Sequence, residues 1–242
     1  MQTSRIAVFV GSALLLAAGA GMGNASTITA SLFSPEAGLG PVILDLSTVT
    51  ATSHASFSGT GYSISFAVDP DQGVVRGALA SKYAIPVAGV LNGNAEYLTG
   101  GYGSPLTTNT ADSGNYLSTG TGTVTIDFSQ QETWLALLWG SIDTGNRLTF
   151  KNGTTTVFTV TGTDVQNAAA GFVGNGFQGA GGSAYVLVNT STPFTSVIAS
   201  SGTVSFEFGG VAASAVPEPG TFGCLFGVGV ALVALRRRIH FR

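Results

Sequence analysis

Carboxylate and amide side chains lie close together in one short segment, residues 139–146, with the sequence Trp-Gly-Ser-Ile-Asp-Thr-Gly-Asn. Asp143 and Asn146 carry oxygens that could bind Ca²⁺ or a sugar hydroxyl. The same residues are typical of a tight turn, in which their side chains hydrogen-bond to the turn backbone while Trp139 fills the core. We favour the turn interpretation, and the ligand interpretation stays open beside it.

Other catalytic chemistry has few candidate residues. A hydrolytic triad needs a histidine base, and residues 26–215 contain only His54. Cys224 is the only cysteine and lies near the C-terminus, so residues 26–215 hold no thiol nucleophile and no cysteine metal ligand. Four carboxylates would suit a glycosidase only if the fold brought a pair of them together: Glu96, Asp127, Glu132 and Glu207. We therefore expect no catalytic residue, no metal site and no cofactor, apart from the Ca²⁺ alternative.

The C-terminal 27 residues, 216–242, contain a proline-flanked acidic motif, an apolar segment and a basic cluster. The motif is Val216-Pro217-Glu218-Pro219, the apolar segment spans 221–235, and Arg236, Arg237 and Arg238 open the basic tail 236–242. Proline disfavours helix in the residue before it, so we expect an extended peptide around Glu218. A helix over 221–235 would be about 22 Å long, shorter than the roughly 30 Å hydrocarbon core of a bilayer. The segment is thus a marginal transmembrane helix, and the arginines should stay on the cytoplasmic side.

This order of motif, apolar segment and arginines resembles the PEP-CTERM sorting signal, which exosortases of Gram-negative bacteria recognise. The resemblance implies transient anchoring in the inner membrane, cleavage near the Pro-Glu-Pro sequence, and release to the cell surface or beyond it. Exosortase and the secretion translocon are the implied partners. The alternative is an ordinary membrane anchor that contains a proline pair by chance.

The N-terminus predicts a secretory signal peptide. Arg5 supplies a positive n-region, residues 6–18 form an apolar h-region, and Gly23-Asn24-Ala25 places small residues at the cleavage-determining positions. We predict cleavage after Ala25. The chain then divides into a signal peptide 1–25, an exported domain 26–215 and a sorting segment 216–242.

The exported domain is acidic. It carries eleven acidic and four basic side chains, a net charge of −7. The four bases are scattered and form no basic patch, which argues against a nucleic-acid partner.

The pattern of the domain predicts an all-β fold. Val124, Ile126 and Phe128 alternate with polar residues, as in a half-buried strand, and 134–139 is a continuous apolar run. A short helix is predicted at 163–170, with Thr163 as its N-cap. We predict a two-sheet, antiparallel, jelly-roll-like β-sandwich; the alternative, a β-solenoid, would need a fixed repeat that the sequence lacks. The predicted strands are 27–33, 42–48, 56–66, 74–79, one near Tyr97, 124–128, 134–139, 148–150, 154–160, 184–188, 194–199 and 204–208.

The 139–146 turn and the later Phe206-Glu207 strand resemble a family of exosortase-dependent surface proteins that pairs these two features. The resemblance implies surface display without an established activity. We therefore expect a cell-surface or extracellular-matrix structural protein associated with exopolysaccharide and biofilm. The alternative is a carbohydrate-binding module, because aromatic rings stack on sugars. Its platform would come from some of five tyrosines: Tyr62, Tyr97, Tyr102, Tyr116 and Tyr185.

Overall fold

The computed structural model describes residues 25–31, 43–44, 46, 49–50, 54–67, 72–91, 94–97, 114–172, 176–178, 181–202 and 204–215. Most of the predicted signal peptide and the whole sorting segment lie outside these residues. The latter includes Val216, Pro217, Glu218, Pro219, Arg236, Arg237 and Arg238. Within the described ranges, no helix is both long enough and apolar enough to cross a membrane.

The described chain contains twelve strands and one short helix, so the predicted all-β class is confirmed. In chain order the elements are β1 Thr27–Ser31, β2 Phe57–Gly59, β3 Tyr62–Phe66, β4 Gly73–Arg76, β5 Val87–Leu91, β6 Asn94–Tyr97, β7 Asn115–Ser118, β8 Thr123–Gly140, β9 Asn146–Asn152, β10 Thr155–Thr161, α1 Gly162–Ala168, β11 Ala184–Ser201 and β12 Glu207–Ala215.

Ten strands form one antiparallel sheet, and β5 pairs with β6 in a separate two-stranded sheet. The long strands β8 and β11 pair with each other over most of their length and so divide the large sheet into two halves. Half A has the order β2-β3-β8-β11-β9-β10 and uses the first part of β8. Half B has the order β1-β11-β8-β12-β7-β4 and uses the second part of β8.

The β8–β11 pair bends where the two halves meet. The register shifts at the pair Phe194↔Glu132, which marks a bulge. The core-facing positions of β8 change there from even numbers, such as Ile126, to odd numbers, such as Leu137, although both residues belong to one core cluster. In an uninterrupted strand residues of opposite parity face opposite sides, so this change reports a corner in the sheet.

The bend folds half A over half B. Trp139 and Thr123 lie at opposite ends of β8, and Ser201 follows Ser200, the partner of Thr123. A straight strand would separate the two ends by about 50 Å. Yet Asn146 accepts a hydrogen bond from Trp139 Nε1 at 3.3 Å and donates one to Ser201 Oγ at 3.3 Å. The two halves therefore face each other across the core, although hydrogen bonds keep them in one sheet. The jelly-roll-like arrangement of two separate sheets stays a prediction.

Several predicted strand bounds are wrong. The segments 124–128 and 134–139 are one strand, β8, and 184–188 and 194–199 are likewise one strand, β11. The polar residues between them resemble a turn in sequence, but their backbone continues through the bend. The last strand also begins later than predicted and runs on to Ala215, because Val211 and Ala212 are buried.

The helix α1 begins earlier than predicted. Its N-cap is Thr161, which accepts a hydrogen bond from Asp164 N at 3.3 Å, while Asp164 accepts one from Thr161 N at 2.8 Å. This reciprocal pair is a capping box and requires a spacing of three residues. The prediction of Thr163 as N-cap is wrong for that reason.

Candidate functional site

The side chains of the 139–146 turn bond mainly to the turn itself. Asp143 Oδ1 accepts from the backbone N–H groups of Gly145 at 2.7 Å and Asn146 at 3.0 Å. Asn146 Oδ1 accepts from Asp143 N at 3.0 Å and from the indole N–H of Trp139. Trp139 is fully buried. This is the geometry of the turn interpretation, in which these oxygens are already occupied by local donors.

The turn also contacts the strand that carries Glu207, although 66 residues separate Ser141 from Glu207. Trp139 stacks on Phe206 with a ring separation of 4.3 Å and an interplanar angle of 24°. Asn146 Nδ2 donates to Ser205 O at 3.2 Å, and Ser141 Oγ donates to Glu207 Oε2. The two sequence features that the family resemblance pairs thus touch each other in this fold.

Glu207 is the most buried of the described carboxylates that show a pKa shift, with 2% of its surface exposed. Its Oε1 accepts from Ala84 N at 3.1 Å, and its Oε2 accepts from Ser141. Burial raises the pKa of Glu207 to about 7, and hydrogen bonds from Ser141 and Ala84 partly oppose that rise. Burial, and then the nearby Glu207, also raise the pKa of Tyr116. Ser205 also hydrogen-bonds to the Glu207 carboxylate, and its Oγ lies 2.7 Å from Ser118 Oγ. We call Ser118, Ser141, Ser205 and Glu207 the Glu207 cluster.

The Glu207 cluster has the chemistry of a buried proton-binding group. In the sequence, Glu207 is only one of four carboxylates that the fold would have to bring together. Strand alternation places Phe206 and Phe208 on one face and Glu207 on the other, so the sequence predicts an exposed Glu207; only the fold shows that this side is buried as well.

Two of the four candidate carboxylates lie far apart. Glu207 pairs with Gly140 and Ala215 pairs with Glu132, so the two glutamates are separated by most of half B. Eight residues of strand span about 26 Å, whereas the carboxyl pair of a glycosidase lies about 5 to 9.5 Å apart. Glu207 and Glu132 therefore do not form such a pair.

Three tyrosines of the predicted sugar platform are buried. Tyr62, Tyr116 and Tyr185 are 7%, 2% and 1% exposed. A stacking platform needs a ring face open to solvent, so the prediction for these three is wrong: their rings pack in the interior. The side chains of Tyr97 and Tyr102 lie outside the described part of the structure.

A family model described as the PEP-CTERM protein-sorting motif matches residues 215–238. The chain carries a PEP-CTERM sorting signal. This confirms the prediction made from the proline-flanked motif, the apolar segment and the arginines. A PEP-CTERM signal implies export, transient membrane anchoring, and exosortase as the processing partner. Apart from Ala215, the matched residues lie outside the exported domain, so the resemblance of the body to a surface-protein family stays a prediction. Comparison with curated proteins and with solved structures finds no significant match.

The PEP-CTERM segment begins where the fold ends. Ala215, its first matched residue, is also the last residue of β12 and pairs with Glu132 at the bend. Glu132 is 7% exposed, burial raises its pKa, and its Oε2 has no hydrogen-bond partner among the described atoms. The sorting signal therefore follows the body without a linker.

A cavity of about 670 Å³ lies at the same bend, near the rung at which β12 ends. Ser26, the residue after the predicted signal cleavage at Ala25, accepts a hydrogen bond from Ser191 N at 3.0 Å. The residues lining the cavity are Ala25, Thr27, Thr133, Asn189, Thr190 and Ser191.

Metal-binding side chains do not gather anywhere in the described ranges. No group of three or more His, Cys, Asp or Glu residues there could hold an ion. The expectation that the protein needs no metal or other cofactor stays a prediction.

Proposed function

We propose that the protein is a non-catalytic structural component of the cell surface or extracellular matrix. It is exported as a precursor, processed by exosortase, and associated with exopolysaccharide in biofilm. The observation that carries this proposal is the PEP-CTERM signal at residues 215–238.

The body supports a structural role. Two of its carboxylates already have partners within the fold: Asp143 caps its own turn, and Glu207, 2% exposed, accepts from Ser141. Half A and half B enclose one continuous core that includes residues of both long strands. We infer that this two-layered β body is a stable unit for display, with its exposed hydroxyl and amide groups available to polysaccharide.

Sugar binding at a defined site is the second candidate, and Phe177 is the observation that favours it. Phe177 is 43% exposed, and the preceding residue, Gly176, donates to Ile142 O in the 139–146 turn at 2.9 Å. An exposed ring beside a polar turn suits stacking on a sugar face. Retention on immobilised exopolysaccharide that is lost in Phe177→Ala would favour this candidate, and equal retention would favour the structural role alone.

The proposed processing is tested by the intact mass of the protein recovered from the native host. The wild type should appear outside the cell without its C-terminal segment, and the Glu218→Ala variant should stay uncut in the membrane fraction. Asp127→Asn, an exposed acid in the body, is the matched control and should be processed normally. Recovery of uncut wild-type protein in the cytosol would contradict the proposal.

Association with exopolysaccharide needs a separate measurement. The processed protein should co-sediment with extracellular matrix from the same host, and a host that makes no exopolysaccharide should release it into the medium. Equal release from both hosts would contradict the matrix role while leaving the processing intact.

A further inference from the structure

One rung of hydrogen-bonded residues crosses four strands of half B and contains both ends of the body. Thr27 pairs with Asn189, Asn189 pairs with Trp134, and Trp134 pairs with Ser214. Three strand spacings separate Thr27 from Ser214, or about 14 Å. The two ends of the folded body therefore lie side by side.

The directions of β1 and β12 place the chain before Thr27 and the chain after Ala215 at the same end of the body. β1 begins at Thr27 and runs away from the rung, towards the partner of Tyr185. β12 runs into the rung and ends one residue beyond it, at Ala215. The segments before Thr27 and after Ala215 consequently leave the body at the same end.

The side chains exposed at the bend of the β8–β11 pair are polar and uncharged, and the next rung of half A carries one acid and one base, Asp127 and Lys151, which both pair with Ser196. We define the terminal corner as Ser129, Gln130 and Gln131 of β8 with Ser191 and Thr192 of β11, all of them exposed. Their hydroxyl and amide groups can hydrogen-bond to phosphate and carbonyl oxygens. Glu132, the acid next to them in β8, is buried. An uncharged surface of this kind avoids the repulsion that anionic lipids would exert on an acidic body.

The connection from the body to the apolar segment is short. Residues 216–220 lie between them, and five residues span at most about 18 Å however they are arranged. Half B is longer than that, since residues 132 to 140 of β8 cover about 26 Å. β12 is also fixed in the sheet: Val211 is buried, and its carbonyl accepts a hydrogen bond from Ile43 N at 3.0 Å. The end of β12 therefore cannot move more than about 18 Å from the apolar segment unless this strand is pulled out.

We infer that the terminal corner stands against the phospholipid headgroups of the inner membrane in the uncut precursor. The 139–146 turn, at the opposite end of half B, then points away from the membrane. This orientation rests on the anchoring in the proposed function. It means that the protein presents the turn, together with the exposed Val204 and Phe177, to the surroundings before it is released.

The orientation can be measured on the full chain reconstituted into vesicles of phosphatidylethanolamine and phosphatidylglycerol. A fluorophore is attached in a Cys224→Ser background at Gln131→Cys in the corner or at Val204→Cys at the far end. A spin label on the lipid headgroup should quench the corner fluorophore several-fold more than the far one. A second version carries flexible Gly-Ser linkers of about twelve residues before Ser26 and after Ala215, which add about 20 Å of reach. In that version the difference in quenching should disappear.

Each other result overturns a named part of the inference. Equal quenching at the two positions, or stronger quenching at Val204→Cys, would contradict the orientation. A difference that survives the linkers would show that the short connection is not its cause. A chain that fails to float with the vesicles would contradict the anchoring in the proposed function, and the orientation with it.

Discussion

At the scale of single residues, Glu207 is a buried carboxyl group held by two hydrogen-bond donors. It is nearly inaccessible, it accepts hydrogen bonds from Ser141 and Ala84, and burial raises its pKa to about 7. Ser141 itself has a φ of 33°, in the left-handed region that non-glycine residues seldom adopt. The bond to Glu207 is therefore made by a residue held in an unfavourable backbone conformation, which the packing of the turn must stabilise.

The raised pKa of Glu207 predicts that this side chain favours the folded state more in acid than at slightly alkaline pH. The folded state binds the proton more tightly than the unfolded chain, whose carboxyl has its ordinary pKa of 4.5. The stabilisation is complete below about pH 4.5 and is lost as the pH rises through 7, a change of about 3 kcal/mol. The free energy of unfolding of Glu207→Gln, measured with urea between pH 4.5 and pH 8, should fall less than that of the wild type by this amount.

The control for this prediction is Asp127→Asn, which replaces an exposed acid and should keep the wild-type pH profile. If Glu207→Gln declined as steeply as the wild type, the buried carboxyl would not be the group that titrates.

At the scale of elements, the start of α1 is pressed against the 139–146 turn. A Cβ atom added at Gly162 would lie 1.7 Å from the carbonyl oxygen of Asp143. Gln166, on the same helix, donates to Ile142 O at 3.2 Å. The capping box fixes the residue at which the helix begins. Because Gly162 has no side chain, the first turn of the helix can contact the backbone of the 139–146 turn. Helix and turn therefore form one packed unit.

This contact predicts that Gly162→Ala is destabilising. The new methyl group would meet backbone atoms that cannot rotate away, so we expect a loss of about 3 kcal/mol in the free energy of unfolding. Gly202→Ala is the matched control, because its added Cβ would meet atoms only at ordinary contact distances of 3.7 Å or more. It should change the free energy by less than about 0.5 kcal/mol. Equal losses in the two variants, measured by chemical denaturation, would contradict the close approach.

At the scale of the whole molecule, the folded body ends at the residue where the sorting signal begins, and each of the two has its own role. β12 contributes Phe208, Val211 and Ala212 to the buried interior, and the PEP-CTERM match begins at its last residue. Processing within the segment after Ala215 would leave every described sheet contact intact. The body can thus fold before the cut and stay folded after it.

Truncation at two positions tests this division. A chain that stops after Ala215 should unfold cooperatively with the stability of the processed protein. A chain that stops after Gly210 loses the buried Val211 and the pairing of residues 212–215 with β8, and its free energy of unfolding should fall by more than about 4 kcal/mol. Thermal unfolding followed by circular dichroism measures both. Cooperative unfolding of the shorter chain at an unchanged temperature would show that the end of β12 is not part of the core.

The sequence by itself determined the features that depend on near neighbours. The sorting signal is a linear motif, the alternation at Val124, Ile126 and Phe128 reports a strand of period two, and the apolar run with Trp139 reports burial. These properties require no knowledge of distant contacts.

Tertiary structure alone decided how these pieces meet. The bend in β8, the burial of Tyr116 and Tyr185, and the contact of Ser141 with Glu207 join residues far apart in the chain. Polar residues at the bend resemble a turn until the partner strand is known, and a tyrosine in a strand can be placed at the surface or in the core until its covering layer is known. The common end of β1 and β12 has the same cause: strand pairing fixes it, and pairing depends on registers that no local pattern records.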